Sequence, residues 1–135
     1  AAAIVTTTSL TQGLKSAAGR RRPNGADEES FPSGHTAVAA VHDRLAAINL
    51  RSIDLQPEAR RVLDAGLDAI TIGTSWARIE AGWHYPSDTL VSASLGAFFA
   101  SFYNEAFLGL DRPTAPAVAL GVVPGGASLR VNWRF

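Results

Sequence analysis

Three clusters of residues along this chain could do chemistry on an anion, and each sits beside a proline or a helix end. The first is Lys15, six intervening residues, then Arg22-Pro23. Two cations around one loop can clamp an anion, the guanidinium as a planar fork for oxygens and the ammonium as a point charge. Taken alone, this piece also reads as a solvated basic loop balanced by Asp27, Glu28 and Glu29. The second cluster is Phe31-Pro32-Ser33-Gly34-His35. Proline is favoured at the first helical position, so Pro32 predicts a helix whose first turn carries the Ser33, Gly34 and His35 amides. Such amides lack intrahelical partners and sit at the positive end of the macrodipole, which makes an anion site from backbone alone. Gly34 keeps the approach open and the Ser33 hydroxyl adds a donor. His35, as an imidazolium, could protonate a leaving oxygen. The plainer alternative is a capped helix start with an exposed histidine.

The third cluster is Arg78, five residues, then His84-Tyr85-Pro86-Ser87-Asp88. Pro86 predicts another helix start and leaves His84 just before its first turn. Asp88, four residues on, can point back at the imidazole. A carboxylate accepting from one ring nitrogen fixes the tautomer and leaves the other nitrogen as a nucleophile. Arg78 supplies a third cation. Alone, the pair also reads as an ordinary His–Asp contact bracing a helix entry. The bland readings are adequate singly and poor jointly. Three cations, two histidines, one carboxylate and an anion-binding helix start are the parts of phosphoryl transfer without a metal, and all fall between Lys15 and Asp88.

The elements that must position these groups are helices. Ala2 to Ala18 reads as a short helix of small residues ending near Gly19, weakened by the run Thr6-Thr7-Thr8. Arg20 to Phe31 reads as a loop, punctuated by Pro23 and Asn24-Gly25. A second helix is expected from Pro32 to about Leu50. A third opens at Pro57, with an apolar face at Val62, Leu63, Leu67, Ile70 and Trp76, and ends near Gly82. A fourth runs from Pro86 to about Leu108. Residues 89 to 104 carry no charge, but this stretch falls short of the roughly 20 residues that span a bilayer. Ser92, Ser94, Ser101 and Asn104 dilute it further, so a buried core helix is the expectation. At the C-terminus, Leu129, Val131, Trp133 and Phe135 alternate with polar residues, the two-residue period of a strand. Pro124-Gly125-Gly126 reads as a turn, with Val118 to Val123 as the partner strand. A strand ending in Phe also resembles the last strand of outer-membrane barrels, but one hairpin cannot close a barrel.

Composition sets the outer bounds. The 135 residues make one modest domain, and 47% hydrophobic content permits a core. Lys plus Arg and Asp plus Glu both total 12, a net charge of zero that gives no support for a nucleic-acid partner. Lys15 is the only lysine, which suggests an arginine-rich genome or a lysine kept for a task. Absence of cysteine excludes disulfides and thiolate metal sites. Absence of methionine suggests a processed or truncated start.

In their order, the three clusters resemble the type-2 phosphatidic acid phosphatase superfamily, which includes bacterial class A acid phosphatases and vanadium haloperoxidases. That family carries Lys-x6-Arg-Pro, then Pro-Ser-Gly-His, then Ser-Arg-x5-His-x3-Asp. Here the pieces are Lys15…Arg22-Pro23, Pro32-Ser33-Gly34-His35 and Ala77-Arg78…His84…Asp88. The likeness covers about residues 15 to 105. It implies an all-α helical bundle over 1–110, with the active site between helices; the sequence pattern adds the expectation of a C-terminal β-hairpin or extended tail over 111–135. It implies a phosphate monoester hydrolase in which His84 attacks phosphorus and becomes a phosphohistidine. Asp88 would orient His84, and His35 would protonate the leaving alcohol and then activate water. Lys15, Arg22, Ser33, Gly34 and Arg78 would hold the phosphoryl oxygens. No metal or cofactor is implied. The implied partner is a phosphorylated small molecule or lipid, in the bacterial periplasm or cell envelope, with membrane association left open. Two alternatives stand beside this: a vanadium-dependent haloperoxidase, the same cations holding vanadate on His84, and an inactive envelope-associated interaction domain. The chain departs from the family in having Ala77 for the usual serine, and in having only a short segment before Lys15 where further helices are usual. His42, Glu80, Trp83 and Tyr85 read as structural or packing residues.

Overall fold

The computed structural model describes residues 1–108, 117–123 and 126–132. The chain divides into two units, Ala1–Tyr103 and Asn104–Phe135. The described helices are α1 (Ala2–Ala18), α2 (Gly34–Leu50), α3 (Pro57–Glu80) and α4 (Pro86–Leu108). They establish an all-α helical bundle. In the second unit the backbone of β1 (Ala117–Val123) runs antiparallel to that of β2 (Gly126–Asn132). The fold class takes nothing from that segment. Trp133 and Phe135, the last members of the expected alternation, lie outside the described residues.

Local chemistry explains most helix boundaries. Gly19 takes the left-handed conformation (φ 51°) and its N–H caps the Lys15 carbonyl at 3.1 Å. The threonine run does not break α1, although among the described residues the buried Thr7 Oγ1 has no hydrogen-bond partner. Thr11 Oγ1 donates back to Thr7 O at 2.7 Å, and Thr6 Oγ1 meets the Tyr103 hydroxyl at 2.7 Å. Pro57 occupies the first turn of α3 after Gln56. Gly82 (φ 68°) follows the end of α3, and its carbonyl accepts the Asn24 N–H at 3.0 Å. That bond docks the arginine loop on the turn that carries His84.

Two expectations need correction. α2 begins at Gly34, not at Pro32, because Ser33 is extended (ψ 109°) and serves as its N-cap. The Ser33 amide is drawn away to Ser92 Oγ at 2.6 Å, so the free first turn shifts one residue to Gly34, His35 and Thr36. The apolar face of α3 is not core either. No residue of α3 is buried, and Val62 and Trp76 are 71% and 65% exposed. Leu63, Leu67 and Ile70 instead line a groove of about 570 Å³ with Leu50 and Ile53. α3 is held on α2 partly through polar contacts, Thr71 Oγ1 to Asp43 Oδ2 at 2.9 Å and Ser75 Oγ to Thr36 Oγ1 at 3.4 Å.

The core is built from small residues. Ala3, Ala37, Ala40, Val41 and Ala100 are buried, with Ile4, Leu45 and Tyr103 packed against them. The uncharged stretch of α4 is core on one face only. Ser92 and Ala100 are fully buried at four-residue multiples, whereas Leu90 and Phe98 are 69% and 59% exposed. Among the described residues no helix is long and apolar enough to cross a membrane. Between Ser92 and Ala100 lies Gly96, where α4 touches the backbone of α2. A Cβ there would meet the Ala37 carbonyl, would lie 2.9 Å from Ala40 Cβ and would lie 3.1 Å from Val41 N. In an open helix Gly→Ala gains about 1 kcal/mol. Here overpacking reverses the sign, and Gly96→Ala should lower the unfolding free energy by about 1–3 kcal/mol in urea denaturation. An unchanged or raised midpoint would show that α2 and α4 do not approach this closely.

Candidate active site

The site assembles from three segments whose order in the chain gives no hint of their contact. A cavity of about 410 Å³ is lined by Thr8 and Lys15 of α1, Arg22, Gly34, His35 and Val38 of α2, Arg78 and His84. Both histidines and all three cations singled out by their spacing therefore face one space. Lys15 reaches it from the last turn of α1, where its Nζ donates to the Glu29 carbonyl at 2.5 Å. Burial, and then the neighbouring Arg22 charge, hold this ammonium below its ordinary value. The Arg22 side chain is only 11% exposed and its Nε pairs with the Asp27 carboxylate. Asp27 also accepts the Glu29 amide at 2.8 Å, which folds the loop into a turn.

His84 is 2% exposed. Its Nδ1 lies 2.5 Å from the Ser30 carbonyl. A carbonyl only accepts, so Nδ1 carries the proton and the lone pair of the neutral ring is on Nε2. Desolvation lowers the His84 pKa below the usual 6.5; the bond to Ser30 opposes this, and Lys15, Arg22 and Arg78 add to it. The ring is thus kept neutral, in the form a nucleophile needs.

Asp88 stands differently from the expected direct partner. Its Oδ2 is 4.0 Å from Nδ1, too far for a hydrogen bond. The carboxylate is fully buried and is occupied elsewhere. It accepts from Arg20 Nη1 at 2.6 Å, from Ser30 Oγ at 2.5 Å and from the Tyr85 amide at 2.8 Å. Asp88 therefore reaches His84 through Ser30, whose hydroxyl it binds and whose carbonyl holds the ring. A direct contact is displaced because the Ser30 carbonyl is the nearer acceptor.

Ser33 is buried and its Oγ has no hydrogen-bond partner, and the same is true of Arg78 Nε. A Cβ at Gly34 would touch only Thr11 Cγ2, at 3.8 Å, so no crowding within the protein demands glycine there. His35 is exposed, at the open first turn of α2. His42 is placed away from the cavity and its Nδ1 meets the Val38 carbonyl at 2.9 Å.

Three residues of the site were not legible as such. Ser30 precedes Phe31-Pro32 as an ordinary loop serine, and nothing in its type marks it. Arg20 lies in the run Arg20-Arg21-Arg22, where composition cannot tell which guanidinium turns inward. Trp83 reads as packing, yet the Arg22 and Arg78 guanidiniums lie 4.8 and 5.3 Å from its ring centroid.

No curated protein and no solved structure matches the chain significantly. The family model of the PAP2 superfamily does match, over residues 1–111, a range that holds every residue of the cavity. With the ordered clusters joined in one cationic pocket and that match covering most of the chain, the protein belongs to the PAP2 superfamily, and its activity is of the phosphatase type.

Proposed function

We propose that the chain hydrolyses phosphate monoesters without a metal, through a phosphohistidine on Nε2 of His84. The observation that carries this reading is that His35, His84, Lys15, Arg22 and Arg78 line one cavity. The cations there can neutralise a phosphoryl dianion and the charge that develops as its ester bond breaks. The unpartnered Ser33 Oγ and Arg78 Nε are donors for which a phosphoryl oxygen is a fitting acceptor.

In the first step Nε2 forms a bond to phosphorus while the ester P–O bond breaks. His35 gives its proton to the departing alkoxide, which leaves as the alcohol. Asp88 and Ser30 hold the imidazolium-like ring through Nδ1. In the second step neutral His35 takes a proton from water, the water oxygen bonds phosphorus and the N–P bond breaks. Inorganic phosphate departs and both histidines return to their starting forms. The substrate class is a phosphorylated small molecule or a lipid phosphate, which share the same headgroup. A bacterial envelope location, and a hairpin tail after residue 111, belong to this reading and rest on the resemblance and on the sequence pattern.

His84→Ala should lower the rate of aryl phosphate hydrolysis by at least about 10³-fold. Acid-labile, base-stable label from a phosphorus-labelled substrate should be trapped on the wild-type protein and be absent from the variant. Full activity in His84→Ala would overturn the mechanism. His35→Ala should cost about 10²–10⁴-fold on an alkyl phosphate and much less on p-nitrophenyl phosphate, whose leaving group needs no proton. Equal losses on both esters would remove His35 from the acid role.

Burial and three nearby cations disfavour the His84 imidazolium, so the ring must be acidified further than an ordinary histidine before it is lost as a nucleophile. Its ring resonances should therefore titrate below pH 6.5. Lys15→Met removes one repelling charge and should move that titration to higher pH. Movement to lower pH, or none, would show that Lys15 does not face the ring.

A further inference from the structure

The three phosphate-facing cations are held in three different ways. Lys15 donates a hydrogen bond to a backbone carbonyl, its Nζ 2.5 Å from Glu29 O. Arg22 is paired with the Asp27 carboxylate. Arg78 leaves its Nε without a hydrogen-bond partner. What Arg22 and Arg78 share is the indole of Trp83, 4.8 Å from one guanidinium carbon and 5.3 Å from the other. These two arginines come from different segments, the loop before α2 and the last turn of α3. Two guanidiniums brought to one pocket repel each other, and the repulsion grows as the pocket dries.

We propose that Trp83 is a positioning residue whose indole holds the Arg22 and Arg78 guanidiniums together as a preformed phosphate clamp, a role that rests on the phosphatase reading above.

An aromatic ring suits this task for a physical reason. Its quadrupole attracts a cation without adding a negative charge, so the clamp stays cationic toward a dianion. A carboxylate between the two arginines would hold them as well and would cancel the charge that binds substrate. The backbone fixes the indole where it is needed. The Trp83 N–H donates to the Arg78 carbonyl at 3.1 Å, and the His84 N–H donates to the same carbonyl at 3.3 Å. The turn that presents the nucleophile therefore also presents the ring to Arg78. The Asn24 N–H bond to the Gly82 carbonyl, at 3.0 Å, brings the Arg22 loop to the same turn. Trp83 stands next to His84 in sequence, yet its part would be to order binding groups and not to touch the reacting atoms.

The test compares wild type, Trp83→Phe and Trp83→Leu by calorimetric titration with inorganic phosphate and with vanadate, and by steady-state kinetics on an aryl phosphate. Each contact is of the cation–π kind, so Trp83→Leu should weaken phosphate binding about tenfold and raise KM by a similar factor. Its kcat should fall less than KM rises. Trp83→Phe keeps a smaller π face and should recover part of the loss. Melting temperatures report folding separately, and should Trp83→Leu fail to fold, Trp83→Phe decides the matter: two- to fivefold weaker phosphate binding supports the clamp, and wild-type affinity overturns it. Equal losses in Trp83→Phe and Trp83→Leu would also overturn it, because volume and not the π face would then be at issue. If wild type hydrolyses the ester while Trp83→Leu binds phosphate normally, the positioning role fails and the phosphatase reading stands. If wild type neither binds phosphate nor hydrolyses the ester, both fail together.

Discussion

The structure depends on a single buried carboxylate. Asp88 has no exposed surface, and a lone charge in that position would be prohibitively costly. Its charge is tolerated because donors arrive from two other parts of the chain and from its own helix entry. Arg20 and Ser30 bring the two ends of the single loop between α1 and α2, and the Tyr85 amide fixes the start of α4. The Asp88 carbonyl adds to the knot by accepting from Ser92 Oγ at 2.5 Å, and that hydroxyl in turn accepts the Ser33 amide. One residue thus fastens the segment that carries His35 to the segment that carries His84. Removing any one donor would leave a buried acceptor only partly satisfied, the kind of loss that costs about 1–3 kcal/mol.

Around that knot the bundle interior is polar, and this follows from its small residues. Thr11, Thr36, Thr89 and Ser92 are buried beside alanines, so helices approach closely while these hydroxyls bond to the preceding turn or to a neighbouring helix. Large apolar residues have little room inside such a packing. That accounts for the exposed Trp76, Leu90 and Phe98, and for an α3 whose apolar residues line a groove. Near His84, accordingly, lie the Ser30 carbonyl and the buried Asp88 carboxylate.

The helix boundaries were legible wherever backbone stereochemistry decides them. Gly19, Pro57, Gly82 and Pro86 can do few things in a chain, and each does the expected one. Pro32 misled by two residues because a tertiary bond, the Ser33 amide to Ser92 Oγ, outweighed the local preference. The histidines and cations lining the cavity were legible because rare residue types recur at fixed spacing, whereas Thr8 and Val38, which also line it, carry no such mark. What was not legible is everything that holds those groups. The acceptor for His84 is a backbone carbonyl, and every residue has one. Arg20 differs from Arg21 only in which way it turns, and the partner that turns it is 68 positions away. The α3 face failed for the opposite reason: its periodicity predicts which residues share a side but not whether another element covers that side.

The electrostatics of the cavity follow from how its cations are anchored. A site meant to bind a dianion must keep its positive charge, yet like charges must be held against their mutual repulsion. Anchoring each cation to its own carboxylate would solve the second problem and spoil the first. Among the described residues, of the three only Arg22 forms ion pairs, with Asp27 and, at 4.0 Å, with Glu29, and these carboxylates are 44% and 55% exposed and screened by water. Lys15 is tied to a neutral carbonyl and Arg78 lies by a neutral ring. Among the described residues the one fully buried carboxylate, Asp88, spends its charge on Arg20, which does not line the cavity. Positive potential is therefore concentrated where His84 sits, and the same field that would draw in a phosphoryl group adds to burial, the larger cause, in lowering the pKa of the imidazole. Under the function proposed above, anion binding and the neutral state of the His84 ring would both draw on this one arrangement of charge, with burial the larger contributor to the second.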